Sequence, residues 1–148
     1  MDSAVMELNK YTVHIPPKAA GNPTIADLGD LNQDYFNIGE DFFKAVEHLE
    51  RNAHSGLPVV ENHKVVGFLS EKDCLKELYA QKFHQAYPGK VEDYMVKTVT
   101  VLPLNTPLFH AIDLFISNPY HVYPVCDLDG KFYGCIHRRE VLTYLLGK

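Results

Sequence analysis

Basic residues are in short supply in this chain. Lys and Arg total 14 against 19 Asp and Glu, a formal net charge of −5. Nucleic acids and anionic membrane surfaces favour a basic face, so neither is an expected partner. No apolar run approaches the ~20 residues that a membrane-spanning helix needs. The N-terminal stretch MDSAVMELNKYTVHIPPK has no basic segment followed by an apolar one, so no secretory signal is expected. There are three cysteines, Cys74, Cys126 and Cys135, an odd number with no C-x-x-C spacing. A reduced, cytoplasmic protein is the expectation. Cys126 and Cys135 flank the turn DLDGK and are placed to face each other across a hairpin. They read as small buried hydrophobes rather than a redox pair.

Catalytic signatures are missing too. There are eight histidines, but none forms H-x-x-x-H and none sits beside a Cys or carboxylate cluster in the sequence, so no metal site is expected. No G-x-x-x-x-G-K-[ST] phosphate loop and no nucleophile–base pairing can be found, and an enzyme is not expected.

What the chain does have is an internal repeat. Its 148 residues, 46% of them hydrophobic, suffice for one globular domain with a sizeable core. At an offset of 66, Ile25 falls on Val91, Asp27 on Asp93, Ala45 on Ala111, Pro58 on Pro124 and Val59 on Val125. After one inserted residue in a turn the offset becomes 67, and Lys64 meets Lys131, Gly67 meets Gly134 and Leu75 meets Leu142. A single insertion confined to a turn is what two copies of one folding unit should show. The copies span 25–82 and 91–148, joined by a linker at 83–90 and preceded by an arm at 1–24 that includes Pro16-Pro17.

Each copy reads as β-α-β-β-α, an α/β arrangement of the α+β type. In the second, TVTVL (98–102) alternates like a strand. Thr106 is the expected N-cap and Pro107 the first helical residue. LFHAIDLFI has helical apolar spacing, and Asn118-Pro119 stops it. HVYPVCD and KFYGCIH are strands about the turn DLDG, whose Asp127 and Asp129 are turn residues, and RREVLTYLL is the closing helix. The first copy has a strand near 34–38, a helix over 41–51, strands over 56–61 and 65–70, and a helix over 71–80. Phe42, Phe43, Phe109 and Phe115 lie on helix faces and are expected in core or dimer packing.

The segments LPVVE…KVVGFLSEKDCL and YPVCDLDGKFYGCIHRREVL resemble the cystathionine β-synthase (CBS) domain. The resemblance rests on the Pro-Val strand, the acid at the hairpin turn, the Gly before the third strand and the polar-x-x-acid opening the last helix. It implies two repeats packed as a pseudo-twofold tandem module, which commonly dimerises. It implies a regulatory role, sensing AMP, ADP, ATP or S-adenosylmethionine and signalling to a separate effector protein. No cofactor beyond such a regulatory ligand is implied.

The resemblance also implies two clefts, each placing the polar-x-x-acid of one copy against strands of the other. In the first, Ser70 and Asp73 face Lys97, Thr98, Thr100, Val101, His121, Val122 and Tyr123. A short carboxylate accepts from both vicinal ribose hydroxyls. Ser70, at a helix start, suits a phosphate. Phe68, Val101 and Val122 offer apolar surface to adenine, and Arg138 and Arg139 are placed to reach phosphates. Tyr120 and Tyr123 flank this cleft, with core packing as their default. In the second, His137 and Glu140 replace the Ser and Asp and face Asp34, Ser55 and Gly56. A bulkier group, a longer acid and the Asp34 charge all disfavour a phosphate there. Gly56 and Val122 also stand where some relatives carry an Arg. A capping box explains both motifs without any ligand. A structural or dimerisation module acting by protein–protein interaction is therefore the alternative to a sensor.

Overall fold

A computed structural model describes residues 4–8, 11–15, 22–84 and 89–148, with 4–8, 11–15 and 81–84 described by backbone alone. Pro16-Pro17 and the linker residues 85–88 lie outside the described residues. The arm contains an antiparallel hairpin of β1 (Ala4–Leu8) and β2 (Tyr11–Ile15). β2 lies alongside the last helix of the chain.

The two copies build two three-stranded sheets of the same topology. In the first, β3 (Phe36–Asn37) runs parallel to β4 (Gly56–Glu61), which pairs antiparallel with β5 (Lys64–Ser70). Helix α1 (Phe42–Arg51) connects β3 to β4, and α2 (Glu71–His84) follows β5. The short helix α3 (Val91–Tyr94) opens the second copy. There β6 (Leu102–Pro103), α4 (Leu108–Ser117), β7 (Val122–Cys126), β8 (Phe132–His137) and α5 (Arg138–Leu145) repeat the order. A β-bulge falls at Val59/Val60 in one hairpin and at Val125/Cys126 in the other, the same place in the repeat. The inserted residue sits where the repeat places it. Glu61 pairs Lys64 across a two-residue turn, whereas Cys126 pairs Phe132 across a longer one closed by Gly130 at φ 81°. Asp127 organises that longer turn, accepting from the N–H groups of Asp129 and Lys131.

Local chemistry accounts for the helices. Asp41 caps α1 by accepting from the Lys44 N–H at 3.0 Å. Phe42, Ala45 and Leu49 then bury one helical stripe. The corresponding cap of α4 is Pro107, not Thr106. Thr106 is diverted: its carbonyl accepts from the Ile25 N–H at 3.0 Å. The strands expected at 98–102 and 34–38 shrink to Leu102–Pro103 and Phe36–Asn37. The chain before each runs past the sheet with no strand beside it, and alternation alone cannot supply a pairing partner. α2 runs on to His84, beyond the expected end at 80.

The two copies exchange their opening segments. The 3-10 turn Ile25–Leu28 docks on the second copy, where Ile25 is fully buried among Leu102, Leu108, Val125 and Ile136. Ala26 N–H donates to the Leu104 carbonyl, and Leu108 N–H to that of Pro23. Reciprocally, α3 enters the first core, where Val91 is fully buried and the Tyr94 ring lies 4.5 Å from that of Phe42. Val91 N–H donates to the Glu40 carbonyl and Phe42 N–H to that of Gly89. Asp27 and Asp93, the acids aligned by the repeat, do the same work. Each accepts the N–H three residues before it, from Thr24 and Lys90, at 2.7 Å.

Gly67 and Gly134 permit the crossing. A Cβ on Gly67 would overlap the Met95 side chain, and one on Gly134 would crowd Leu31 and Asn32. Beside them, Phe68 and Val96 exchange two backbone hydrogen bonds, and Cys135 N–H donates to the Asn32 carbonyl at 2.8 Å.

Replacing Ile25 by Ala is expected to lower the unfolding free energy by about 2–5 kcal/mol through the cavity left in the second core. Leu128→Ala, at a turn position 77% exposed, should change it by no more than about 0.5 kcal/mol. Urea unfolding of the full chain checks both.

Candidate functional site

A cavity of about 420 Å³ lies between the copies. It falls in the usual range for small-molecule sites, roughly 300–1,000 Å³. Ser70 and Asp73 form part of its wall, with Phe68 beside them. Thr98, Thr100, His121, Val122 and Tyr123 face them from the second copy. Eight of the residues singled out in the sequence are thus brought together. Lys97, Val101 and Arg139 are not part of the lining. The positive charges here belong instead to Lys72 and Lys76, one turn apart on α2, flanking Asp73. Arg138 rather than Arg139 approaches the cavity, its guanidinium 3.2 Å from the Nε2 of the lining residue His121.

Two further positions differ from expectation. Ser55, assigned by resemblance to the second cleft, lines the first. Its carbonyl accepts from the Glu71 N–H at 2.9 Å, tying the start of β4 to the start of α2. His121 and Arg138 make the equivalent bond in the second copy at 3.1 Å. Tyr120 is not core: it is 56% exposed and lines the cavity. Tyr123 is core, buried with its ring 4.9 Å from Phe115 and its hydroxyl donating to the Leu114 carbonyl at 3.2 Å. Gly56 is required for the shape of the wall, since a Cβ there would strike the Phe68 ring.

The two polar-x-x-acid motifs are chemically unlike. Ser70 Oγ accepts from the Asp73 N–H at 3.1 Å, capping α2. Among the described residues, no hydrogen bond or ion pair engages the half-buried Asp73 carboxylate, which is left to face the cavity. In the second motif the acid is consumed. Glu140 Oε1 accepts from the His137 N–H at 2.8 Å and lies 3.0 Å from His137 Nδ1. That is a closed capping arrangement.

Asp34 is also occupied. Its Oδ1 accepts from the Tyr35 N–H at 3.0 Å, and its Oδ2 lies 2.5 Å from His48 Nε2 and 3.1 Å from His54 Nε2. The sequence offered no hint of this trio, because its members are separated by 14 and 20 residues.

Two stretches, residues 28–80 and 91–147, match the family model for the CBS domain. The chain belongs to the CBS-domain family. An uncharacterized 17.7 kDa protein of Acidianus ambivalens is 28% identical over 102 residues, 69% of this CBS pair and 60% of the relative. An inosine-5'-monophosphate dehydrogenase of Thermoplasma acidophilum is 29% identical over 89 residues, 60% of this chain and 17% of that enzyme. The chain thus spans less than two thirds of these curated relatives' lengths. Among solved structures, the CBS-pair protein CBSX2 of Arabidopsis thaliana superposes with a TM-score of 0.72 at 26% identity, covering 85% of this chain and 96% of that one. CBSX2 in complex with AMP gives the same TM-score and identity over 84% of this chain and 96% of that one. No helix among the described residues is long and apolar enough to cross a membrane.

All three thiols are free. Cys126 and Cys135 do not face each other: Cys135 pairs with Pro124 and Cys126 with Phe132, the same register as Phe68 with Pro58 and Val60 with Val65 in the first copy. Burial, with Asp73 and Glu71 nearby, pushes the Cys74 thiol up to about 12. Burial, with Glu140 and Asp34 nearby, does the same for Cys135. Both stay protonated, and therefore unreactive, at pH 8. Native protein at pH 8 should thus expose one titratable thiol, the half-buried Cys126, and three after denaturation, measured with a chromogenic disulfide reagent. These two thiols ionise in the unfolded chain before they do in the folded one. Their contribution to stability is therefore full below about pH 9 and declines as the pH rises from about 9 towards 12.

Proposed function

We propose that this CBS pair is a regulatory sensor. It binds one adenosine-containing ligand per chain, AMP, ADP, ATP or S-adenosylmethionine, in the Ser70–Asp73 cleft. Occupancy is relayed to a separate effector protein. The observation that carries this reading is the Asp73 carboxylate, facing a cavity of about 420 Å³ with no partner among the described residues, while Glu140 is spent on its own helix. The Asp73 carboxylate is left available to accept hydrogen bonds, and a ribose diol supplies two donors for it. Phe68 and Val122 give an adenine ring apolar contact. Lys72, Lys76 and the His121–Arg138 pair place cationic groups where phosphates would extend. The AMP bound by the relative CBSX2, at 26% identity, supports the same ligand class.

The exposed apolar residues support a homodimer. Leu75 and Leu142, matched by the repeat, are 70% and 60% exposed on α2 and α5. Leu146 and Ile116 are also exposed, at 69% and 61%. Covering these side chains with a second copy is the simplest way to remove them from water.

AMP at a hundredfold excess over its dissociation constant should stabilise the protein by about 2.7 kcal/mol, readable as a rise in the melting temperature of several degrees. Asp73→Asn should weaken binding by about tenfold or more, whereas Glu140→Gln should leave it unchanged. No melting shift with any of the four ligands at millimolar concentration would rule out the sensor and leave a structural dimerisation module. Separately, Leu142→Asp should convert the dimer to monomer, as followed by light scattering on a sizing column.

A further inference from the structure

A second constellation lies in the first copy, away from the Ser70–Asp73 cavity. Asp34, His48 and His54 offer one ligand atom each, and the three atoms lie within 4.8 Å of one another. Both imidazoles point Nε2 at a single oxygen, Asp34 Oδ2, at 2.5 and 3.1 Å. Their rings lie nearly parallel, with centroids 6.2 Å apart and planes inclined by 28°.

Each member is held independently of the others. Asp34 is fixed by its backbone N–H donating to Asn32 Oδ1 at 2.8 Å and by its Oδ1 accepting from Tyr35. His48 projects from the last turn of α1, its ring edge-on to buried Phe36. His54 sits just beyond that helix, where Ala53 takes a positive φ of 54° and the His54 N–H donates to the Leu49 carbonyl at 3.0 Å. The convergence is therefore built into the backbone. The repeat also locates it: Asp34 and His54 are the counterparts of Thr100 and Tyr120, both of which line the first cleft.

We propose that Asp34, His48 and His54 form a binding site for a divalent transition-metal ion, Zn²⁺ foremost. Two imidazole nitrogens and one carboxylate oxygen make a common three-ligand set for zinc, leaving a fourth position to water. Such nitrogen-rich sets favour late first-row ions over Mg²⁺ or Ca²⁺, which take all-oxygen shells. Tyr35 N–H holds Asp34 Oδ1, so Oδ2 is the oxygen presented, as an outer-shell hydrogen bond should arrange. The site is open to a small ion from solvent, with the His48 side chain 38% exposed and that of His54 13%.

The test is calorimetric titration of the tag-free full chain with ZnCl₂ in the absence of nucleotide. One equivalent should bind. His48→Ala, His54→Ala and Asp34→Asn should each weaken binding by about tenfold or more. His110→Ala, an exposed histidine on α4, should leave it unchanged. A readout that needs no variant is modification of native protein by diethyl pyrocarbonate, mapped by peptide mass spectrometry. Zn²⁺ should protect His48 and His54 selectively. An absent isotherm, a site indifferent to all three substitutions, or unprotected His48 and His54 would each overturn the proposal and leave the trio as a hydrogen-bonded cluster.

Discussion

The reciprocal exchange of opening segments holds the rest of this structure in place. Ile25 completes the core of the second copy and Val91 that of the first. Neither β-α-β-β-α unit is finished by its own residues. The two cores are therefore coupled, and the cleft between them is a consequence of that coupling. Burying these two aliphatic side chains removes apolar surface from water, but its larger effect is geometric. The segments that follow Ile25 and Val91 must run across the neighbouring sheet. They do so over Gly134 and Gly67, where a side chain would block them. Thr98 and Thr100 reach the wall facing Ser70 and Asp73 by this route.

Duplication supplies two equivalent helix-opening motifs, and a change of residue type makes them different. Ser70 is short and caps its helix through Oγ, so Asp73 need not turn back on the motif. His137 engages Glu140 through both its backbone N–H and its ring. One motif closes on itself while the other stays available. Asp34 and its two histidines, absent from the second copy where Thr100, Leu114 and Tyr120 stand, add a further difference between the copies.

Much of the fold was legible in the chain. The offset, the inserted turn residue, the order of elements and the strand Gly56–Glu61 could all be read from apolar spacing and turn residues. Most of the first cleft was legible as well, once the polar-x-x-acid motif and the Pro-Val strands were placed by resemblance. Other expectations failed. The carbonyl of Thr106 is taken by Ile25 of the other copy, and residues 98–101 of TVTVL have no neighbouring strand to pair with. Lys97 and Arg139 do not line the cavity, whereas Lys72 and Lys76, one turn apart on α2, do, and a helical spacing of four is what puts two cations on one face.

The amino-acid sequence by itself determined the repeat, the family and the asymmetry between Ser70–Asp73 and His137–Glu140. These depend on residue type, spacing and side-chain length, all of which are local. Tertiary structure alone decided which carboxylate is left without a partner, that Ser55 faces the first cleft, and that Asp34, His48 and His54 meet at one oxygen. Those outcomes depend on how backbones distant in sequence cross, and the crossing is set by which copy's core each opening segment fills.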